Sequence, residues 1–120
     1  MPRTTPISDD FLDLLPLSPV VFFVLFALAD GEKHGYLIMQ EVTVLSDGKL
    51  RMGPATLYTT IQRLVDQLLV EETEKEAGDR RRYYRLTGSG GQLLRAELDR
   101  QAVVLRLART KKLLPMENAQ

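Results

Sequence analysis

Between Val20 and Ala29 the chain runs through ten consecutive apolar residues, Val-Val-Phe-Phe-Val-Leu-Phe-Ala-Leu-Ala. A bilayer span needs about 20 such residues. Pro16 and Pro19 interrupt the approach to this run, and no basic segment with a cleavage site precedes it. The run is therefore expected to be a buried helix of a water-soluble, cytoplasmic protein, with no membrane partner. A helix on the surface of a monomer keeps one polar face, and this one has none. In a chain of 120 residues the tertiary core covers one side only. The other side is expected to meet a second copy.

The remaining elements follow from caps and periodicity. Residues 1–16 read as an arm and a short helix, capped by Ser8 and running through Asp9 to Leu15. Ser18-Pro19 supplies a cap and a proline at the first helical position, starting the apolar helix, which ends near Asp30-Gly31. A further helix runs from His34 to Leu45, with Tyr36, Leu37, Ile38, Val42 and Leu45 as its inward stripe and Ser46-Asp47-Gly48 closing it. Another runs from Pro54 to about Leu68, where Leu57, Ile61, Leu64 and Leu68 repeat at helical spacing. Leu69 to Thr73 and Arg81 to Leu86 read as strands joined through Ala77-Gly78-Asp79. Thr87 caps a long helix to about Leu114, with Pro115 beyond it and the glycines at 88 and 91 favouring a late start. The expected class is mainly α with a small β-hairpin: a winged helix-turn-helix over residues 17–86, a dimerisation helix over 87–115 and a tail over 116–120.

The chain holds 16 basic and 16 acidic residues, so overall charge gives no pointer to nucleic acid and the case rests on local charge. The stretch Gly48 to Arg63 carries Lys49, Arg51 and Arg63 and no carboxylate. Its helix presents Ala55, Thr56, Tyr58, Thr59 and Gln62, short or polar groups suited to base edges, between basic groups suited to phosphates. Arg80, Arg81 and Arg82 form a second basic element on the hairpin, with Arg85 after them. Glu71, Glu72, Glu74, Glu76 and Asp79 lie close enough in sequence to pair with these. Strand alternation puts Arg82 and Tyr84 on one face and Arg81, Tyr83 and Arg85 on the other.

No enzyme constellation emerges. The chain has no cysteine, and its one histidine, His34, has only Glu32 nearby and reads as a polar group at a helix start, so neither a metal nor a catalytic base is expected. The turn Leu86-Thr87-Gly88-Ser89-Gly90-Gly91 looks like a nucleotide-phosphate cradle. It lacks the Lys-Ser/Thr step, has Leu93 where a dinucleotide fold needs its third glycine, and precedes no strand. No cofactor is expected.

Leu17-Ser18-Pro19, Leu28-Ala29-Asp30-Gly31, His34-Gly35-Tyr36, Gly53-Pro54-Ala55-Thr56-Leu57-Tyr58, Arg63-Leu64 and Arg81 through Thr87 followed by Gly90 together resemble the PadR family of winged-helix transcriptional regulators, in its short form. The resemblance covers about Leu17 to Pro115. It implies a repressor that dimerises through its N-terminal and long C-terminal helices, reads an inverted-repeat operator in double-stranded DNA, and is released by a small-molecule effector. It also implies that Tyr36, Thr56, Tyr58 and Arg63 belong to the DNA-binding face, and Arg81 and Arg82 to a basic wing. One departure stands out: relatives carry glycine after the recognition helix, where this chain has Leu68-Leu69-Val70. The helix is thereby expected to end without a left-handed cap.

The expected dimer interface comprises Phe11, Leu14, Leu15, Val21, Phe22, Leu25, Leu94, Leu98, Ala102, Leu105 and Ala108. Two other classes of function stay open: a winged helix used for protein-protein contact without specific DNA binding, and a ligand sensor with Phe22, Phe23 and Phe26 lining a pocket between subunits.

Overall fold

The computed structural model describes residues 13–74 and 78–116. In chain order they form α1 (Pro19–Ala27), β1 (Lys33–His34), α2 (Gly35–Leu45), α3 (Pro54–Asp66), β2 (Val70–Thr73), β3 (Tyr83–Leu86) and α4 (Gly88–Thr110). This is a mainly helical fold with a three-stranded antiparallel sheet in the order β1-β3-β2. The expected N-terminal helix lies mostly outside the described residues, and Phe11 with it; Asp13 and Leu14 form a turn.

α1 starts as its sequence dictates. Pro19 occupies the first turn, and the Val21 N–H donates to Ser18 Oγ at 3.3 Å. The helix stops at Ala27, and the chain turns through Leu28 to Asp30 before Gly31 takes φ +138°. Phe22, Val24, Leu25, Ala27 and Leu28 are buried, while Val20, Val21 and Phe23 are half-buried and Phe26 is exposed. Lys33 closes the far end of this helix. Its buried Nζ donates to the Ala27 carbonyl at 2.7 Å, bonds Asp30, and lies 3.7 Å from Glu41. A cation at a helix C-terminus meets the negative end of the helix dipole.

β1 had no periodic signal, because two residues cannot show alternation. Lys33 and His34 pair with Tyr84 and Tyr83, so the expected hairpin is a three-stranded sheet. His34 then caps α2: the Leu37 N–H donates to its Nδ1 at 3.2 Å. On α2 only Ile38 and Val42 of the expected stripe are buried; Leu37 is half-buried, and Tyr36 and Leu45 are exposed.

α3 buries Leu57, Thr60, Ile61 and Leu64. It ends at Asp66 rather than Leu68, and it does have a left-handed cap. Leu68 adopts φ +64°, the Leu69 N–H donates to the Leu64 carbonyl and the Leu68 N–H to the Val65 carbonyl, both at 2.9 Å. These two bonds define a Schellman motif, a closure that glycine usually provides. Asp47 (φ +57°) and Lys112 (φ +64°) close α2 and α4 the same way. α4 thus ends at Thr110, short of Leu114, and Pro115 is not what stops it.

The strands are shorter than expected, beginning at Val70 and Tyr83. Glu71 pairs with Arg85 and Glu72 with Tyr84 across β2 and β3. Tyr84 enters the core, while Arg82, exposed and just ahead of β3, reaches Glu72, the residue that pairs with Tyr84 across the strands.

α4 begins immediately after Thr87, not late. The Thr87 hydroxyl donates to the Leu68 carbonyl at 2.6 Å and accepts from the Gly90 N–H at 3.0 Å. A Cβ on Gly90 would lie 2.0 Å from the Leu69 carbonyl oxygen. Gly90 therefore serves close packing: without a side chain at position 90, α4 seats directly on the backbone between α3 and β2. Leu93, Leu94 and Glu97 are buried, and the helix beyond Leu98 runs out of the core with Val103, Val104, Leu105 and Leu107 exposed.

Candidate nucleic-acid interface

The outer face of α3 carries Ala55, Thr56, Tyr58, Thr59, Gln62 and Arg63, all exposed. Gly53 leads into the helix without a side-chain cap, and Pro54 fills its first turn. On α2 Tyr36 is exposed next to Gly35, which Tyr58 of α3 approaches, and the loop between the helices carries exposed Lys49 and Arg51. Among the described residues, Lys49, Arg51 and Arg63 have no carboxylate within 4.0 Å. Their charge is available to an anionic partner.

Tyr58 links the two helices. A Cβ on Gly35 would fall 2.3 Å from the Tyr58 hydroxyl oxygen, so the hydroxyl end of the ring reaches the start of α2 because position 35 is glycine. Gln62 is less free than its position suggests, since its Nε2 donates to Asp66 Oδ1 at 3.0 Å. Thr60, by contrast, faces inward and donates to the Thr56 carbonyl at 2.9 Å.

The wing arginines are exposed but engaged. Arg81 lies 3.4 Å from Asp79, Arg82 3.3 Å from Glu72 and Arg85 2.7 Å from Glu71. Arg81 also sits 5.6 Å from the centre of the Tyr83 ring. The Arg81 backbone N–H donates to Asp79 at 3.0 Å, and this bond does most to hold the Asp79 carboxyl below the usual carboxylate range. The Arg85 guanidinium is pushed upward by its bond to Glu71. Exposed pairs of this kind contribute little to stability. Arg80 is exposed next to them, and Ala77 of the expected turn lies outside the described residues.

The expected dimer residues divide into two groups. Phe22, Leu25 and Leu94 are corrected by the fold: they are packed in the chain's own core and are not available to a partner. Leu14, Ala102 and Leu105 are exposed, and Leu15, Val21, Leu98 and Ala108 are half-buried. Phe22, buried, stacks on exposed Phe26 at 5.4 Å and meets half-buried Phe23 edge-on at 4.9 Å.

Two buried charges escaped sequence reasoning. Lys33 is one, and Glu97 the other. Glu97 sits one turn from Leu93 and Leu94, and accepts from Leu17 N–H (3.3 Å), Arg100 Nε (3.0 Å), Arg100 Nη2 (2.7 Å) and Gln101 Nε2 (2.7 Å). The Arg100 bonds foremost, then those from Gln101 and Leu17, bring its carboxyl down to about 2 despite burial. The bond to Leu17 fastens the entry to α1 onto α4. A carboxylate inside an otherwise apolar stripe was the available signal. Among the described residues no helix is long and apolar enough to cross a membrane, and no cluster of three or more His, Cys, Asp or Glu could hold a metal.

The chain is similar to transcriptional regulator Rv3488 of Mycobacterium tuberculosis, 44% identical over 68 residues, which are 56% of this chain and 61% of that one. It is 30% identical to an uncharacterised protein of Lysinibacillus sphaericus over 69 residues, 56% of this chain and 63% of that one. The chain thus spans less than two thirds of the curated relatives it matches. Its fold is similar to that of a PadR family regulator from Clostridium difficile (TM-score 0.64, 20% identity, 78% of this chain and 97% of that one). It is similar also to Bacillus subtilis PadR in complex with operator DNA (TM-score 0.59, 23% identity, 68% of this chain and 47% of that one). The model of the transcriptional regulator PadR-like family matches residues 24–96, from the middle of α1 to the buried turn of α4. With that match covering more than half of its length, the chain belongs to the PadR-like family of transcriptional regulators.

Proposed function

We propose that this chain is a homodimeric, sequence-specific DNA-binding repressor that places α3 in the major groove of an inverted-repeat operator. The observation that carries this reading is the outer face of α3, where Thr56, Tyr58 and Thr59 stand between Arg63 and the loop cations Lys49 and Arg51, none of them paired with a described carboxylate. Thr59 and Ala55 point outward toward base edges, while Arg63, Lys49, Arg51 and the wing hold backbone phosphates. The likeness to a PadR bound to operator DNA supports this placement. The exposed apolar length of α4, with Ala102, Leu105 and Ala108 along one side, supports pairing of two chains through that helix. Two recognition helices so paired are expected about 34 Å apart, one turn of duplex.

The test is duplex binding measured over a range of salt with DNA from upstream of the protein's own gene. Arg63→Gln should lower the logarithmic salt slope by about one and weaken binding to all sequences. Thr59→Ala should weaken binding to the preferred sequence and leave the slope in place. Unchanged affinity and slope in both variants would overturn the reading.

A second reading is favoured by one observation: Arg81, Arg82 and Arg85 each already face a carboxylate. A wing neutralised in this way suits a protein partner, and on that reading purified protein shows no salt-dependent affinity for any duplex. Release by a small molecule is a finer proposal still, placed between subunits, where half-buried Phe23 and exposed Phe26 line α1. Binding of an aromatic acid that lowers duplex affinity is its test.

A further inference from the structure

A cleft of about 420 Å³ opens between the start of α1 and the flank of α3. Ser18, Thr56, Thr59, Thr60 and Arg63 supply its polar side, and Val20 and Val21 its apolar side. Among the described residues lining it Arg63 is the only charged one, and no described carboxylate lies within 4.0 Å of that guanidinium. The Thr60 hydroxyl is committed to the Thr56 carbonyl, and Ser18 Oγ takes the Val21 N–H while keeping its own proton to donate. The cleft thus offers one cation and up to three hydroxyl donors beside a small apolar wall. That set matches a phosphodiester: two non-bridging oxygens sharing one negative charge for the guanidinium and hydroxyls, and a deoxyribose edge for the valines.

On a helix, Thr56 and Arg63 lie on the flank of α3 that turns toward α1, while Tyr58 lies on the opposite flank against α2. We infer that this cleft seats a backbone phosphate of the duplex, so that Ser18 and the first turn of α1 are part of the DNA interface. The inference rests on the proposed function and deepens it. With α3 in the groove, this phosphate belongs to the strand bordering the groove on the α1 side. Ser18 then has two tasks, capping α1 and gripping DNA, and α1 becomes a rigid post against which the backbone is registered.

Ser18→Asp separates the two tasks. Aspartate is as good a helix cap as serine, so the fold is kept, while a carboxylate enters the cleft. The expected result is a duplex affinity about tenfold weaker at low salt, with an unchanged urea midpoint. A Thr56→Ala, Arg63→Gln double variant should lose sensitivity to ethylation of one phosphate per half-site that weakens the natural protein. If Ser18→Asp binds as the natural protein does while Arg63→Gln still lowers the salt slope, the DNA reading stands and the cleft inference falls. If inorganic phosphate shifts the Ser18 and Thr56 amide resonances while Ser18→Asp leaves duplex affinity intact, the cleft serves a free anion and the inference is overturned. If the natural protein binds no duplex in a salt-dependent way, the proposed function fails and takes the cleft with it.

Discussion

Leu68 should be a worse residue at its own position than glycine. It closes α3 at φ +64°, with 71% of its surface exposed, and neither of the two Schellman hydrogen bonds uses its side chain. A left-handed conformation costs an L-residue about 1–2 kcal/mol because Cβ crowds the following carbonyl. Glycine removes that cost and adds about 0.5–1 kcal/mol of unfolded-state entropy. Because the leucine side chain is largely in water, little apolar burial is lost. Leu68→Gly is therefore expected to stabilise the fold by about 0.5–1 kcal/mol. Leu68→Ala keeps the crowding and should change stability by no more than a few tenths of a kcal/mol. Urea unfolding at one fixed protein concentration reads this directly, the midpoint rising by about 0.3–0.5 M with the slope unchanged. A midpoint for Leu68→Gly at or below that of the natural protein, or equal gains from glycine and alanine, would refute the strain argument.

Gly90→Ala should destabilise by at least about 2 kcal/mol in the same assay, since its Cβ would meet the Leu69 carbonyl at 2.0 Å. Gly88→Ala and Gly91→Ala, with nothing within 4 Å of a Cβ, should each stabilise by up to about 1 kcal/mol. For Glu97, a folded pKa of about 2 against an ordinary 4.5 means that its contribution is complete above pH 4.5 and is lost as pH falls from there toward 2. That contribution is on the order of 2 kcal/mol, and Glu97→Gln should flatten the acid limb of a stability-against-pH curve measured by denaturant unfolding. Leu105→Lys, at an exposed position of α4, should shift the protein toward monomer in sedimentation without lowering its helix content. An unchanged sedimentation coefficient at micromolar concentration would exclude α4 as the dimer contact.

Much of this architecture could be read from local chemistry. Ser18-Pro19 and Thr87 cap their helices as expected, because a cap is a contact between near neighbours. The α3 stripe held for Leu57, Ile61 and Leu64 and failed at Leu68, where the helix had already closed. That closure was illegible because the left-handed cap is recognised by glycine, and here Asp47, Leu68 and Lys112 all take it. β1 was silent for lack of length. Periodicity showed that α1 and α4 are apolar on more than one side but not which side the chain's own core takes. Phe22, Leu25 and Leu94 therefore moved from an expected subunit contact to the interior. On the wing, composition allowed pairing of arginines with carboxylates, and only the register of Glu71 with Arg85 decides which pairs form. The cleft beside Ser18 needed the start of α1 and the flank of α3 to come side by side in space, which no spacing rule contains.

The joint at Leu68, Leu69, Thr87 and Gly90 has a mechanical meaning. α4 is bolted to the chain immediately beyond α3 by the Thr87 hydroxyl and by the bare backbone of Gly90 resting on Leu69. From that joint its 23 residues extend about 34 Å. In a dimer built on α4, the helix is a lever with its short arm in the recognition element. A tilt of about 5° displaces the far end by roughly 3 Å over such a length. In such a dimer the spacing between the two copies of α3 would be set where the two copies of α4 cross, and the stiffness of four residues would decide how faithfully that crossing angle reaches a bound duplex.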